Sequence, residues 1–321
     1  MKVTLRDVAK AAGVGVSTAS YVLNESGLHK VSAETCQRIR DVAEKLNYTP
    51  NAIARGLRSG KSYLVGVMVP AIDFSFMPSI IAGIDRVLSL NKYNMLLCTY
   101  SSIEELKSKR DLMRQKQVDG IILKTWFDQM PQAVEICSSG NMPCVSVATP
   151  YVKNIPGVWV DPAAMGYAAY DYLYKAGHRR IALCNLNSSS DWVKIVTDRI
   201  RQDKSVEYIF CSAEDPDWCS RIFEHVPEVT AVVAPDMMAI KVLNEAYTRH
   251  IAVPEALSVL AMDGADIEQF TIPPLTSIIQ PRTEQGEEAA RLLLEWINTR
   301  QMPGNVVLQP MIRERASVCS C

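Results

Sequence analysis

The chain has 321 residues, 48% of them hydrophobic and 21% charged, with 34 Lys and Arg against 35 Asp and Glu and a formal net charge of −1. That length allows two or three domains with their own apolar cores, the composition is that of a soluble globular protein, and the near-zero charge names no partner. No stretch approaches about 18 uninterrupted apolar residues, which excludes a membrane-spanning helix. The charge is unevenly placed: residues 1–62 carry 10 of the Lys and Arg and 5 of the Asp and Glu, leaving 24 and 30 for the remainder. A basic head on an acidic body is the asymmetry expected when only the head meets phosphate.

The opening MKVTLRDVAK is charged and lacks an apolar leader segment, so the expected location is cytoplasmic. Nine cysteines stand at positions 36, 98, 137, 144, 184, 211, 219, 319 and 321, with no CxxC pair. Most lie in apolar runs and are expected to be buried thiols of a reducing compartment; the terminal Cys319-Ser320-Cys321 is expected to be a frayed, exposed tail.

In chain order, Thr4-Leu-Arg-Asp7 reads as a capped helix start, with Leu5, Val8, Ala9 and Ala12 on one apolar face and Gly13 ending it. Gly15 serves as N-cap to a second helix bearing Thr18, Ala19, Val22 and Leu23. Ser32 opens a third, with Ile39, Val42, Ala43 and Leu46 at helical spacing. In the stretch YTPNAIARGLRSGKS, Pro50 suits a helix start and Ser59-Gly60 a stop. The intervening helix is too short to hold in water and is expected to order on a partner. From Tyr63 the pattern becomes apolar strands (YLVGVMV, NMLLCTY, DGIILK, PCVSVA, RIALCN, VEYIFC, TAVVA, LSVLAM) alternating with amphipathic helices. Repeated βα units mean parallel sheets covered by helices, here in two α/β lobes.

Two phosphate-loop readings fail: Gly13-Val-Gly15 has Thr18 where a third glycine belongs, and Gly60-Lys61-Ser62 has Arg55 in place of its partner glycine. The four histidines are scattered, so no metal site or cofactor is expected, and no catalytic constellation supports an enzyme. A helix-turn-helix fits better. Its second helix enters the major groove with N-terminal residues on base edges. Those residues are Val16 and Ser17, with Tyr21 one turn on, while Thr18, Ser20 and Asn24 are short donors suited to phosphate. A helical subdomain for protein contact is the alternative.

LRDVAKAAGVGVSTASYVLN followed by SAETCQRIRDVAEKLNYTPNAIARGLRSG strongly resembles the head and hinge of LacI/GalR-type bacterial transcriptional regulators. KQVDGIIL, AGHRRIAL, TAVVAPDMMAIKVLNEA, VPEALSVLAMDG and PPLTSIIQP match that family's body in order and spacing. The resemblance implies an all-α helix-turn-helix head at residues 1–48 and a hinge helix and linker at 49–62. A two-lobed α/β periplasmic-binding-protein-like body with parallel sheets follows at 63–321. The first lobe is expected at about 63–161 plus part of the C-terminal segment, and the second at about 162–281. It further implies a homodimer on a near-palindromic double-stranded operator, its affinity set by a small-molecule effector between the lobes, a sugar or sugar derivative. Carried over by position, Val16, Ser17 and Tyr21 read bases. Thr4, Leu5, Thr18, Ser20, Asn24, Ser32, Thr35, Tyr48 and Asn51 grip or approach the backbone. Ala54 and Leu57 enter the minor groove, Leu57 as the wedge between base steps.

This chain departs from the pattern at several points. Most relatives carry Ser at the position of Gly15 and Arg at that of Tyr21, and losing the Arg removes a bidentate guanine contact worth about 1–3 kcal/mol of discrimination. The half-site is therefore expected to differ. In the body, Met77, Pro78 and Ile81 are expected to line the first lobe's share of the pocket. Trp218 is expected to offer a stacking platform there, with packing the alternative for it and for Trp126 and Trp192. Asp263 and Gln280 keep polar positions, whereas Ala148 and Pro235 stand where sugar-binding relatives often have Asp and Asn. SSSDWVKIVTDRIRQD lacks the usual arginine motif. The expectation is an effector other than a free hexose, or a pocket without ligand control. The readings carried forward are a repressor of this family, a relative needing a co-repressor, and, from another class, a solute-binding protein for uptake, against which the intact head argues.

Overall fold

In the computed structural model the described residues are 3–24, 31–48, 60–70, 77–125, 130–151, 153–185, 191–203 and 205–321. They divide into two units at Ser62/Tyr63. The first unit contains α1 (Leu5–Ala11), α2 (Val16–Leu23) and α3 (Ala33–Lys45). The Asp7 carboxylate accepts from the Thr4 backbone N–H at 2.9 Å and the Thr4 hydroxyl at 2.7 Å, closing the start of α1. These bonds hold Asp7 below the usual carboxylate range. Gly13, at φ +64, makes the left-handed turn between α1 and α2. Ser32 caps α3 by accepting from the Thr35 N–H at 3.3 Å. Val8, Ala9, Ala12, Ala19, Val22, Cys36, Ile39 and Ala43 form one small core from the three apolar stripes.

The second unit runs through β1 (Leu64–Pro70), α4 (Met77–Leu90), β2 (Asn94–Tyr100), α5 (Ile103–Gln115), β3 (Gly120–Leu123), α6 (Met130–Ser138), β4 (Cys144–Val147) and β5 (Gly157–Val160). It continues with α7 (Pro162–Lys175), β6 (Arg180–Asn185), α8 (Asp191–Gln202), β7 (Glu207–Ser212), α9 (Trp218–Glu224), β8 (Ala231–Pro235), α10 (Asp236–Thr248) and β9 (Ser258–Asp263). After a 3-10 turn at Asp266–Phe270 come β10 (Thr276–Ile279), α11 (Arg282–Thr299), β11 (Val306–Leu308) and β12 (Met311–Arg313). Two six-stranded sheets result, in the orders β11-β5-β4-β3-β1-β2 and β12-β10-β9-β8-β6-β7. All pairings are parallel except β12 on β10. β3, β4 and β5 are buried at every residue, as strands covered on both faces must be. The apolar runs identified in the sequence account for eight of these strands. β5, β10, β11 and β12, three or four residues each, are additional to those runs.

The chain passes between the lobes three times: after β5, from β10 into α11, and between β11 and β12. α11 springs from the second sheet yet packs in the first lobe's core through Ala289, Ala290, Leu293 and Ile297. It meets α4 backbone to backbone. A Cβ at Gly286 would lie 2.0 Å from the Ile80 carbonyl oxygen, and one at Gly83 would lie 2.0 Å from that of Thr283. The C-terminal residues are tied down, contrary to the frayed tail expected. The Cys321 N–H donates to the Ala176 carbonyl at 2.7 Å, and the Cys319 N–H to the Ser258 hydroxyl at 3.1 Å. Extending a buried strand edge satisfies backbone groups that a loose tail would leave to water.

Candidate nucleic-acid interface and effector cleft

α2 begins at an uncapped end: Gly15 is extended (φ −68, ψ 150) and offers no side-chain acceptor, which leaves first-turn N–H groups to be satisfied from outside. Val16, 43% exposed, and exposed Ser17 stand on this first turn, with half-buried Tyr21 a turn above Ser17. An apolar side chain held out at a helix start is a group suited to a thymine methyl. Arg6, Lys10, Arg38, Arg40 and Lys45 are exposed on the three helices, as are Asp7, Glu34, Asp41 and Glu44. Thr4 is exposed, Leu5 and Thr18 are half-buried, and Ser32 and Thr35 sit together at the start of α3, their hydroxyls 2.9 Å apart. Tyr48 packs against the core. Ser20 differs from its expectation: it is buried, and its hydroxyl and carbonyl accept from the Asn24 amide at 3.1 and 2.9 Å. It lies beside Ala19 and close to Val22, both buried in the head's core. Asn51, Ala54 and Leu57 lie outside the described residues.

In the body, the polar groups gather where the C-terminal ends of both sheets meet. Asp263, at the end of β9 and in a strained backbone conformation (φ +112), accepts from Gln280 Nε2 at 2.5 Å and Arg282 Nη2 at 2.8 Å. These three residues come from the end of β9, the end of β10 and the start of α11, the crossover into the first lobe. Burial raises the Asp263 carboxyl while Arg282 and Gln280 act against it. Behind it, Asp236 accepts from the Gly264 and Ala265 N–H groups at 3.3 and 2.9 Å. Burial, then the nearby Asp263 and Glu268, push it up to about 9. From the first lobe, Lys124 follows β3 and donates to the Thr125 carbonyl at 3.0 Å and the Thr149 hydroxyl at 3.2 Å. Burial, helped by the charge on Arg282, pulls its ammonium down to about 7. Lys124 and Arg282 both stand just beyond the C-terminal ends of parallel strands, the side of open α/β sheets on which ligands bind.

Of the residues expected to line the pocket, Asp263 and Gln280 are joined by a hydrogen bond. Lys124, Thr149, Asp236 and Arg282 were missed, although each directly follows a strand or its first turn, a position that could have flagged them. Met77 is fully buried in the first lobe's core, while Pro78 is exposed and Ile81 half-buried. Trp218 is not an open stacking platform. It is 5% exposed within the second lobe's core, with Lys241 Nζ 5.1 Å from the ring centroid. An indole buries too much area to be left facing water when α9 packs on its sheet. Trp126, and the side chain of Trp192, lie outside the described residues.

Residues 4–51 match the family described as bacterial regulatory proteins, lacI family. Residues 62–202 match the periplasmic binding proteins and sugar binding domain of that family, and residues 170–318 a periplasmic binding protein-like domain. The repressor CytR of Escherichia coli K12 is 31% identical over 91% of this chain and 89% of its own. The chain belongs to the LacI family. Catabolite control protein A of Priestia megaterium is 30% identical over 97% of both chains. The Lac repressor dimer bound to operator and an anti-inducer shares the fold, with a TM-score of 0.82 at 22% identity over 99% of this chain and 100% of that one. The regulator CelR in complex with cellobiose gives 0.68 at 25% identity, covering 98% and 100%. This LacI-family chain is a DNA-binding transcriptional repressor with a ligand-controlled body. Its relatives are regulators rather than enzymes, and no helix among the described residues is long and apolar enough to cross a membrane.

Proposed function

We propose that this chain acts in the cytoplasm as a homodimeric repressor on a near-palindromic operator, reading bases with Val16, Ser17 and Tyr21. The observation that carries this reading is the first turn of α2, where an exposed valine and serine stand at an uncapped helix end. Two heads related by a two-fold axis require two half-sites, about one helical turn apart. Selection of the purified protein on random duplex DNA at a stated salt concentration tests it: a symmetric enriched site supports the reading. Salt-sensitive binding with no enriched site overturns it, because phosphate contact alone carries no sequence information.

The effector is a small polar molecule other than an unmodified hexose. Ala148 and Pro235 supply no side-chain hydrogen-bond partner where sugar-binding relatives often have Asp and Asn, while Arg282 is already engaged by Asp263 at 2.8 Å. A sugar hydroxyl left unpaired there loses about 1–3 kcal/mol. A thermal-shift panel of free sugars, modified sugars and nucleosides, read together with operator affinity, tests this. Stabilisation by a plain hexose that also changes operator binding refutes it. The second copy is placed on one edge of the second lobe. There Ile267, Phe270 and Ile272 are 48%, 74% and 92% exposed, and edge-strand residues Met311 and Ile312 are 57% and 42% exposed. Arg315 Nη1, at 3.1 Å from Glu268 Oε2, ties the 3-10 turn to the segment after β12, so these residues share one edge. Contiguous exposed apolar surface of this kind marks a protein interface.

A further inference from the structure

Three of the cysteines, Cys184 on β6, Cys211 on β7 and Cys219 on α9, share the second lobe's core. Cys184 and Cys211 are register partners on neighbouring parallel strands, one residue before the last pair, Asn185 and Ser212. Their side chains leave the same face of the sheet, so the two thiols stand side by side across the strand pair. Neighbouring strands lie about 4.8 Å apart, inside the roughly 4.4–6.8 Å between Cα atoms that a disulfide spans. Joining the two sulfurs therefore needs side-chain rotation and a small approach, not unpairing of the sheet.

The three thiols are not equivalent. Burial raises Cys184 well above the ordinary cysteine value and pushes Cys219 up to about 11. Cys211 moves the other way: the neighbouring Cys184 thiol, then the charge of Arg221, lower it against burial and the opposing Asp215. Arg221 is anchored over this strand end by Asp215 at 3.0 Å. β7 is an edge strand, and Cys211 keeps 5% exposure where Cys184 has none. Of the register pair, Cys211 is the sulfur on the edge strand and the one that keeps some exposure, so an oxidant meets it first. Cys184 stands directly opposite it in register, whereas Cys219 lies on a helix, so Cys184 is the resolving group.

We infer that Cys184 and Cys211 form an oxidant-reactive dithiol site, its substrate class small hydroperoxides and its product a reversible intramolecular disulfide. The Cys211 thiolate attacks the terminal peroxide oxygen. The S–O bond forms as the O–O bond breaks, and the departing alkoxide takes up the proton that Cys211 released. Cys211 is then a sulfenic acid. The Cys184 sulfur attacks the Cys211 sulfur, an S–S bond replaces the S–O bond, and hydroxide leaves with the Cys184 proton as water. Two thiols are oxidised, and one hydroperoxide is reduced to an alcohol (water, when hydrogen peroxide is used) with one further water. A dithiol reductant reverses the change by exchange.

The test exposes the folded full-length protein to hydrogen peroxide, alkylates it in denaturant and maps the nine cysteines by peptide mass spectrometry. Cys184 and Cys211 are expected to vanish together from the alkylated pool, about tenfold faster than buried Cys137 and Cys144, as a linked peptide pair restored by dithiothreitol. Cys184→Ser should leave a Cys211 sulfenic acid trapped by dimedone, and Cys211→Ser should leave Cys184 unreacted. The proposal is overturned if all nine thiols stay alkylatable at a peroxide level that fully oxidises a free cysteinyl peptide. Linkage of other thiols, such as Cys319 with Cys321, overturns it equally. The main readout comes from the unaltered chain, so a variant that fails to fold does not remove the test.

Discussion

Replacing Gly286 with Ala tests whether the crossover helix is positioned by a backbone contact. An ideal Cβ there would sit 2.0 Å from the Ile80 carbonyl oxygen and 3.0 Å from the Ile84 nitrogen, where ordinary contact begins at 3.4 Å. The gap to be opened is thus 3.4 − 2.0 = 1.4 Å, and the obstacle is helix backbone, which cannot swing aside as a side-chain tip does. α4 and α11 must part, loosening Ile80, Ile84, Ala289, Ala290 and Leu293 in one core. Overpacking costs about 1–3 kcal/mol, and backbone obstruction places this site at the upper end. Alanine recovers about 1 kcal/mol of helix propensity, so the net loss is about 2 kcal/mol. For a body of this size that lowers Tm by about 4–8 °C. Because α11 starts at Arg282, the same shift should disturb the Asp263–Arg282 contact and weaken effector response. The assay is thermal unfolding by far-UV circular dichroism, with Gly304→Ala as control, since nothing lies within 4 Å of a Cβ there. A Tm for Gly286→Ala equal to or above that of the parent chain would refute the close-approach argument.

Tyr21→Arg should shift the selected operator toward guanine at one base pair of each half-site, by about 1–3 kcal/mol of discrimination; an unchanged site logo would show that Tyr21 does not face bases. Gly15→Ser should fit, since a Cβ there meets only Ser17 Oγ at 3.7 Å and Thr18 Oγ1 at 3.9 Å, both ordinary contacts, and chemical denaturation should report a gain of a few tenths of a kcal/mol at most. Lys124→Met should stabilise the body most at pH below about 7, with the advantage shrinking as pH rises toward 10.5. The sign follows from the native state disfavouring the ammonium: stability is lost as pH falls from the unfolded value through the folded one. A Tm difference that grows with pH would contradict it. Phe270→Asp combined with Ile272→Asp should convert dimers to monomers in sedimentation equilibrium, and persistence of the dimer would move the interface elsewhere.

Much of the head was legible because its signals are local. Thr4 with Asp7, Gly13, Gly15 and Ser32 act within one turn of themselves, and each stands in the structure where its spacing placed it. The strands β5, β10, β11 and β12 were not picked out; the three residues of β11 carry no period, and its partner β5 lies in a distant part of the chain. Trp218 and Met77 show the limit for the pocket: alignment places a residue along the chain, but burial depends on what the neighbouring helix covers. Ser20 shows it for the DNA face, where one rotation about α2 separates an exposed donor from a buried one.

The amino-acid order by itself determined the class of this protein: a basic three-helix head, alternating βα units, and motifs whose order and spacing belong to the LacI family. These depend on hydrophobic period, capping and turn chemistry, all of which act over a few residues. Only the tertiary structure decided which charges meet. Lys124, Asp236, Asp263, Gln280 and Arg282 span more than 150 positions of chain and become one site because parallel strands all end on the same side of their sheets. The paired thiols Cys184 and Cys211 likewise become neighbours through strand register alone, since hydrogen bonding between backbones, not proximity in sequence, sets which residues stand side by side.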